Sequence, residues 1–213
     1  MAGDGAKVTI VDYGMGNLWS IQNALTALGF ESVIESSPER IENSERLILP
    51  GVGSFARAMH NLISSDLLKP LNRAVLERNT PVLGICLGMQ LLADLGTEDG
   101  ETKGLGWIPG KVIRLDGKSC GKVPHLGFDS VKQRVAKSGL FDGLSNSADF
   151  YFIHSYHFVP ENSDVAIGEC NYGLPIVAAV KLNHIAGVQF HPEKSQANGL
   201  RLLQNFCRIP GGA

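Results

Sequence analysis

Pro81-Val82-Leu83-Gly84-Ile85-Cys86-Leu87-Gly88-Met89-Gln90-Leu91-Leu92 decides how this chain is read. Its first half is a short apolar run led in by proline, and its second half has the composition of a helix. Cys86 therefore stands where a strand turns into a helix. Glycines two residues away on either side permit a crowded turn that lifts a sulfur clear of the sheet, a nucleophile elbow with Cys in place of Ser. A helix opening after Cys86 aims its N-terminal amides at the sulfur, which favours thiolate and offers the amide of Leu87 to a developing oxyanion. The competing reading is an inert buried cysteine, since free Cys is commonly buried.

Upstream of the elbow, short strand-like runs at 8–11, 32–35 and 47–49 alternate with helix-period segments. Asn17 caps a helix carrying Leu18, Ile21, Leu25 and Leu28 and stopping at Gly29, and 55–78 reads as one or two helices interrupted at Pro70. Downstream, after Gly110, strand-like runs follow one another at 111–115, 128–131, 150–158, 165–169, 176–182 and 185–190, before a closing helix from about Ser195. The expected fold is α/β, a three-layer open mixed sheet, mostly parallel with added antiparallel strands, and helices on both faces.

With 213 residues the chain is expected to form a single domain over 1–213, with 1–6 a disordered N-terminal extension. Its 44% hydrophobic content with only 7% aromatics supplies a Val, Ile, Leu and Ala core. Lys and Arg number 19 against 21 Asp and Glu, so the basic surplus that nucleic acid binding needs is missing. No apolar stretch approaches the 18 or so residues that span a bilayer, and the polar, Gly-rich start lacks a signal core, so a cytoplasmic protein is expected. Cys86, Cys120, Cys170 and Cys207 lie far apart, with no Cys-x-x-Cys pair and no His at zinc-ligand spacing. Neither a disulfide framework, a metal site nor a cofactor is expected.

A base for Cys86 has several candidates among the six histidines. Gly187-Val188-Gln189-Phe190-His191-Pro192-Glu193 ends a strand with His and a carboxylate two residues apart, which share a face of extended chain. A carboxylate beside His fixes its tautomer and stabilises its cation, while the second ring nitrogen takes and returns a proton. On its own such a pair is more often a plain surface turn, and it gains meaning from the elbow elsewhere. His60, His157 and His184 lack this pattern and are read as solvated or structural, while His125 and His154 stay open. Pro50-Gly51-Val52-Gly53-Ser54-Phe55 follows the third strand at the carboxyl edge of the sheet, where open α/β folds place ligands. Its glycines let a peptide swing an amide toward the site, although such a loop is about as often just a turn.

Seven segments together resemble the class I, triad-type glutamine amidotransferases. They are Asp12-Tyr13-Gly14-Met15-Gly16-Asn17-Leu18, Leu49-Pro50-Gly51-Val52-Gly53, Gly84-Ile85-Cys86-Leu87-Gly88-Met89-Gln90, Gly104-Leu105-Gly106, Pro124-His125-Leu126-Gly127, Phe152-Ile153-His154-Ser155-Tyr156 and Phe190-His191-Pro192-Glu193-Lys194-Ser195. They run in family order through nearly the whole chain, and the first points to the branch that serves histidine biosynthesis. The resemblance implies Cys86 as nucleophile, His191 as acid/base and Glu193 as its orienting partner. It also implies Val52 or Gly53 beside Leu87 in the oxyanion hole, and Gly51, Gln90, Glu98, Ser155 and Tyr156 around L-glutamine. Asn17, Pro124, His125 and Phe128 would meet the partner, a (β/α)8-barrel synthase subunit in a heterodimer. Gly127-Phe128-Asp129 departs from the usual Gly-Trp-Asn, losing an indole donor and bringing a charge in place of an amide.

The implied reaction is glutamine hydrolysis through a Cys thioester. Its ammonia passes to the synthase subunit, which makes imidazole glycerol phosphate and an aminoimidazole carboxamide ribotide. Three rival readings compete with it: a paralogous glutaminase for amidination of a surface sugar, a free-standing γ-glutamyl thiol hydrolase, and a non-catalytic regulatory subunit with a vestigial pocket. The intact triad counts against the last, and the segments around Asn17 and Pro124 count against the second.

Overall fold

The computed structural model describes residues 7–135 and 138–209, so the N-terminal extension expected at 1–6 lies outside the described residues. The order begins β1 (Val8–Val11), α1 (Leu18–Ala27), β2 (Ser32–Glu35), α2 (Pro38–Glu42), β3 (Arg46–Leu49), α3 (Phe55–Ser64), α4 (Leu68–Asn72), β4 (Val82–Ile85) and α5 (Leu87–Leu91). It continues with β5 (Leu95–Gly96), β6 (Thr102–Lys103), β7 (Gly110–Arg114), α6 (Gly117–Cys120), β8 (His125–Gln133), β9 (Ser147–His154) and β10 (Tyr156–Pro160). It ends with β11 (Ala166–Asn171), β12 (Pro175–Leu182), β13 (Ile185–Val188) and α7 (Gln196–Arg208).

Nine strands form one mixed sheet in the order β2-β1-β3-β4-β13-β12-β11-β8-β9. The five from β2 to β13 run parallel, and β12, β11, β8 and β9 are added antiparallel. The parallel strands β1, β3, β4 and β13 are buried along their whole length, because helices cover both faces. One face packs Ile10, Ile48, Leu83 and Val188 against Ile21 and Leu25 of α1 and Leu203 and Phe206 of α7. The other packs Leu47, Leu49 and Val82 with Phe55, Met59 and Leu62 of α3. Arg46 is buried at the rim, donating to the Phe206 and Ile209 carbonyls at 2.8 and 2.6 Å, so it satisfies acceptors at the C-terminal end of α7.

Three sequence readings are corrected. The run 150–158 is not one strand: it breaks at Ser155, and β9 joins the large sheet while β10 pairs with β7 in a second sheet, β10-β7-β5-β6. The helix expected to break at Pro70 breaks earlier, at 65–67, and Pro70 sits in the first turn of α4, where its missing N–H leaves no bond unmade. The helix after Cys86 is only five residues long, so the amides of its first turn matter more than a macrodipole.

Candidate active site

β4 lies between β3 and β13 at the centre of the large sheet and delivers Cys86 to its carboxyl edge. The Cys86 backbone takes φ +55° and ψ −109°, and its N–H donates to the Val188 carbonyl at 2.8 Å, so the turn is tied to β13. The flanking glycines are sterically required. A Cβ on Gly84 would lie 2.6 Å from the Gly88 carbonyl oxygen, and one on Gly88 would run into the Leu49 carbonyl. The elbow and the end of β3 interlock through these two bare backbones.

His191 leaves the chain just beyond β13, three residues past Val188. Its N–H donates to the Tyr151 carbonyl at 2.8 Å, and its carbonyl accepts the Ser195 hydroxyl at 2.6 Å. Ser195 Oγ in turn accepts the Tyr151 N–H at 2.9 Å. Glu193 Oε1 stands 2.8 Å from His191 Nδ1, with both side chains almost fully buried. Nδ1 therefore carries the proton and Nε2 faces the cleft. Burial pushes the imidazole down, but Cys86 and Glu193 outweigh it and hold His191 up to about 9. His191 Nε2 is buried, and the neighbouring Cys86 raises the imidazole first as a hydrogen-bonding group and then as a charge.

Cys86 and His191 open onto one cleft of about 380 Å³. Val52, Gly53, Leu87, Gln90, Glu98, Pro124, Ser155 and Tyr156 line it too, which brings together residues predicted from distant parts of the sequence. Gly51 lies beneath, buried between the Tyr13 hydroxyl and Leu87. Gln90 donates to the Tyr156 carbonyl at 2.8 Å and to Gln189 Oε1 at 3.1 Å. Glu98 Oε2 accepts the Phe55 N–H at 2.8 Å, so it also satisfies the first turn of α3. Tyr13, whose titration is raised by burial and by the nearby Cys86, donates from its hydroxyl to the Pro50 carbonyl at 2.7 Å. The loop 50–54 is thus held at both ends, leaving Val52 and Gly53 exposed between.

Among the residues expected at a partner surface, Phe128 is 52% exposed and Pro124 edges the cleft, whereas Asn17 faces solvent and accepts the Ser20 N–H at 3.3 Å as the α1 cap. His125 is buried, stacked between Phe152 and Tyr172 at centroid distances of 4.4 and 3.9 Å, so it supports that surface from beneath. His154, left open by the sequence, lines the cleft and donates from Nδ1 to the Tyr156 carbonyl at 2.9 Å. Burial drives it down to about 3, which keeps it neutral and unsuited to be the base. His184 lies near the other end of the strands, bonded to the Val75 carbonyl at 2.7 Å, and His157 is buried in β10. Gln189, Lys194 and Ser195 stand inside the segments read from the sequence, but the sequence gives none of them a role at the site. Gln189 Nε2 approaches Cys86 Sγ at 3.8 Å, and its one signal was a polar side chain inside an apolar strand run.

A thiol on a strand-to-helix elbow, facing a histidine oriented by a carboxylate across the carboxyl edge of a mostly parallel sheet, has the geometry of a triad-type cysteine hydrolase. Residues 9–209 match the family model for glutamine amidotransferase class-I, and the chain belongs to that family. It is 45% identical over 208 residues to imidazole glycerol phosphate synthase subunit HisH 1 of Parasynechococcus marenigrum, covering 94% of this chain and 97% of that one. It is 46% identical over 203 residues to the HisH subunit of Moorella thermoacetica, covering 95% and 94%. A solved glutamine amidotransferase shares the fold, with a TM-score of 0.73 at 21% identity over 93% of this chain and 96% of that one. No helix among the described residues is long and apolar enough to cross a membrane.

Proposed function

We propose that this chain is the glutaminase subunit of an imidazole glycerol phosphate synthase, reading 1–213 as one domain that releases ammonia from L-glutamine for a (β/α)8-barrel synthase subunit. The observation that carries the reading is the cleft where Cys86 meets a Glu193-held His191, in a chain 45% identical over nearly its whole length to a subunit of that synthase. Cys86 sulfur attacks the side-chain amide carbon of glutamine, and the amides of Leu87 and of Val52 or Gly53 receive the oxyanion. His191, carrying the proton that came from the thiol, gives it to the departing nitrogen, and ammonia leaves. Water then adds to the thioester as His191 Nε2 takes its proton, glutamate departs, and the proton returns to sulfur. Glu98, Gln90, Ser155 and Tyr156 hold the glutamine head group above Gly51.

The partner is supported by one surface. In the β8–β9 register Leu126 opposes Ile153 and Phe128 opposes Tyr151, and Leu126, Phe128 and Ile153 are 59%, 52% and 43% exposed. This apolar stripe on the two strands at one edge of the large sheet runs up to the cleft, which Ile153 and Pro124 also line, and such patches mark interaction sites. A barrel docked there receives ammonia directly from the cleft mouth. The test is Cys86→Ala. It should retain binding to the synthase subunit and lose glutamine turnover, while the complex still forms product from ammonium salts. Retained glutaminase activity would remove Cys86 as nucleophile.

A further inference from the structure

We propose that His125 Nε2, an Asp129 carboxylate oxygen and Cys170 Sγ form a site for a divalent transition ion of the zinc class, with a fourth position open to solvent. The three donor atoms all lie within 4.8 Å of one another. His125 Nε2 and Asp129 Oδ2 are 3.5 Å apart. A tetrahedron with bonds of about 2.0–2.3 Å has edges of roughly 3.3–3.7 Å, so this pair already spans one edge. The set of imidazole, carboxylate and thiolate suits zinc or cobalt better than magnesium or calcium.

The backbone explains the convergence. His125 and Asp129 are four residues apart on β8, and the residue midway is Gly127, above which a Cβ would find nothing within 4 Å. The space between the two side chains is therefore vacant of any side chain on their own strand. Cys170 comes from the neighbouring β11, where it opposes Val131, two residues beyond Asp129. Asp129 is partly exposed, with 35% of its side chain reached by solvent, whereas His125 and Cys170 are buried, so an ion enters past the carboxylate.

The second, independent observation is the hydrogen-bond chain behind His125. His154 gives its Nδ1 proton to the Tyr156 carbonyl, which fixes its ring with Nε2 toward His125. His125 Nδ1 lies 3.1 Å away and shares a hydrogen bond with that Nε2. The other ring nitrogen of His125, Nε2, is thereby turned toward Asp129 Oδ2 at 3.5 Å, with room between them for a proton or a divalent ion. A ring whose other nitrogen donates to a fixed acceptor is also how ligating histidines are oriented, and here the ring is clamped between Phe152 and Tyr172. Binding would form the metal–sulfur bond with release of the Cys170 proton to solvent. It would tie β8 to β11 and, through His125 and His154, stiffen the end of β9 beside the cleft. Sequence spacing conceals the site, because Cys170 is 41 residues beyond Asp129 and belongs to no motif.

The experiment uses the full chain carrying Cys86→Ala, so that the active-site thiol contributes nothing, and titrates it with Co²⁺. The expected result is one equivalent bound with a near-ultraviolet thiolate-to-cobalt charge-transfer band and the visible bands of a four-coordinate ion, displaced by Zn²⁺. Adding Cys170→Ser should abolish the charge-transfer band, and Asp129→Asn, at a partly exposed position that keeps its shape, should weaken Co²⁺ at least tenfold. The proposal is overturned by absence of the band at tenfold excess of Co²⁺, by a band that persists with Cys170→Ser, or by unchanged affinity with Asp129→Asn. The last arm decides the matter alone if Cys170→Ser fails to fold.

Discussion

Cys86 holds φ at +55° in a chain where most non-glycine residues avoid positive φ, and two glycines make that possible by letting the β4–α5 turn press against β3. Gly88→Ala should cost about 1–3 kcal/mol of stability, because the added methyl meets backbone that cannot rotate away. Urea unfolding measures it, and an unchanged midpoint with unchanged glutaminase activity would sink the account of the elbow. His191 sets a pH dependence of opposite sign to that of its neighbour. Folded, it holds its proton up to about 9 against an ordinary 6.5, so its contribution to stability is complete below 6.5 and is lost as pH rises through 9. His154 is held down to about 3, so its contribution is present above 6.5 and disappears as the unfolded chain gains a proton on acidification. The unfolding midpoint should therefore fall from pH 6.5 toward 9 in the native chain, and the fall should shrink in His191→Gln. Equal slopes in the two chains would mean that His191 is not the titrating group. The elbow that carries the proposed nucleophile was legible because glycine spacing encodes backbone crowding. Gln189 and Ser195 were not, since a polar residue beside a strand end does not reveal which distant atoms it will meet.

At the scale of elements, Glu98 joins the loop after β5 to the start of α3 and thereby sets one end of the 50–54 loop. A role in holding glutamine and a role in capping make different predictions for two substitutions. Glu98→Ala removes both and should lower stability by about 1 kcal/mol while raising KM. Glu98→Gln keeps an acceptor oxygen for Phe55, so stability should recover while KM stays high if the carboxylate charge recognises substrate. Recovery of both would make Glu98 purely a capping residue, and thermal melts beside glutaminase kinetics separate the cases. The parallel half of the sheet was readable because strands buried on both faces are short continuous apolar runs bounded by turn residues. The break at Ser155 was not. Alternation continues through 150–158, and only pairing with β8 on one side and β7 on the other shows that the chain changes sheets there. That change brings Ser155 and Tyr156 to the cleft, so the least legible element boundary is one of those that build the site.

Across the whole molecule, the cleft mouth and the apolar β8–β9 stripe form a continuous surface, and Val52–Gly53, the segment proposed to supply an oxyanion amide, is an exposed part of its rim. The loop is fixed where Tyr13 binds Pro50 and where Glu98 binds Phe55, and between these anchors Val52 is 44% exposed. A partner seated on Leu126, Phe128 and Ile153 would cover this rim and shift the loop toward the orientation that serves the oxyanion. Free chain should therefore hydrolyse glutamine at least tenfold more slowly than its complex with the proposed synthase subunit and that subunit's acceptor ligand. Phe128→Asp should weaken assembly at least tenfold while leaving the free chain's melting temperature unchanged, because a half-exposed ring on an edge hairpin contributes little to the core and much to a desolvated interface. Saturating Phe128→Asp with partner should restore full activation, since the substitution acts on affinity and not on the triad. Equal turnover by free and assembled chain would show that the oxyanion amide is already in place, and unaltered affinity in Phe128→Asp would move the docking face elsewhere.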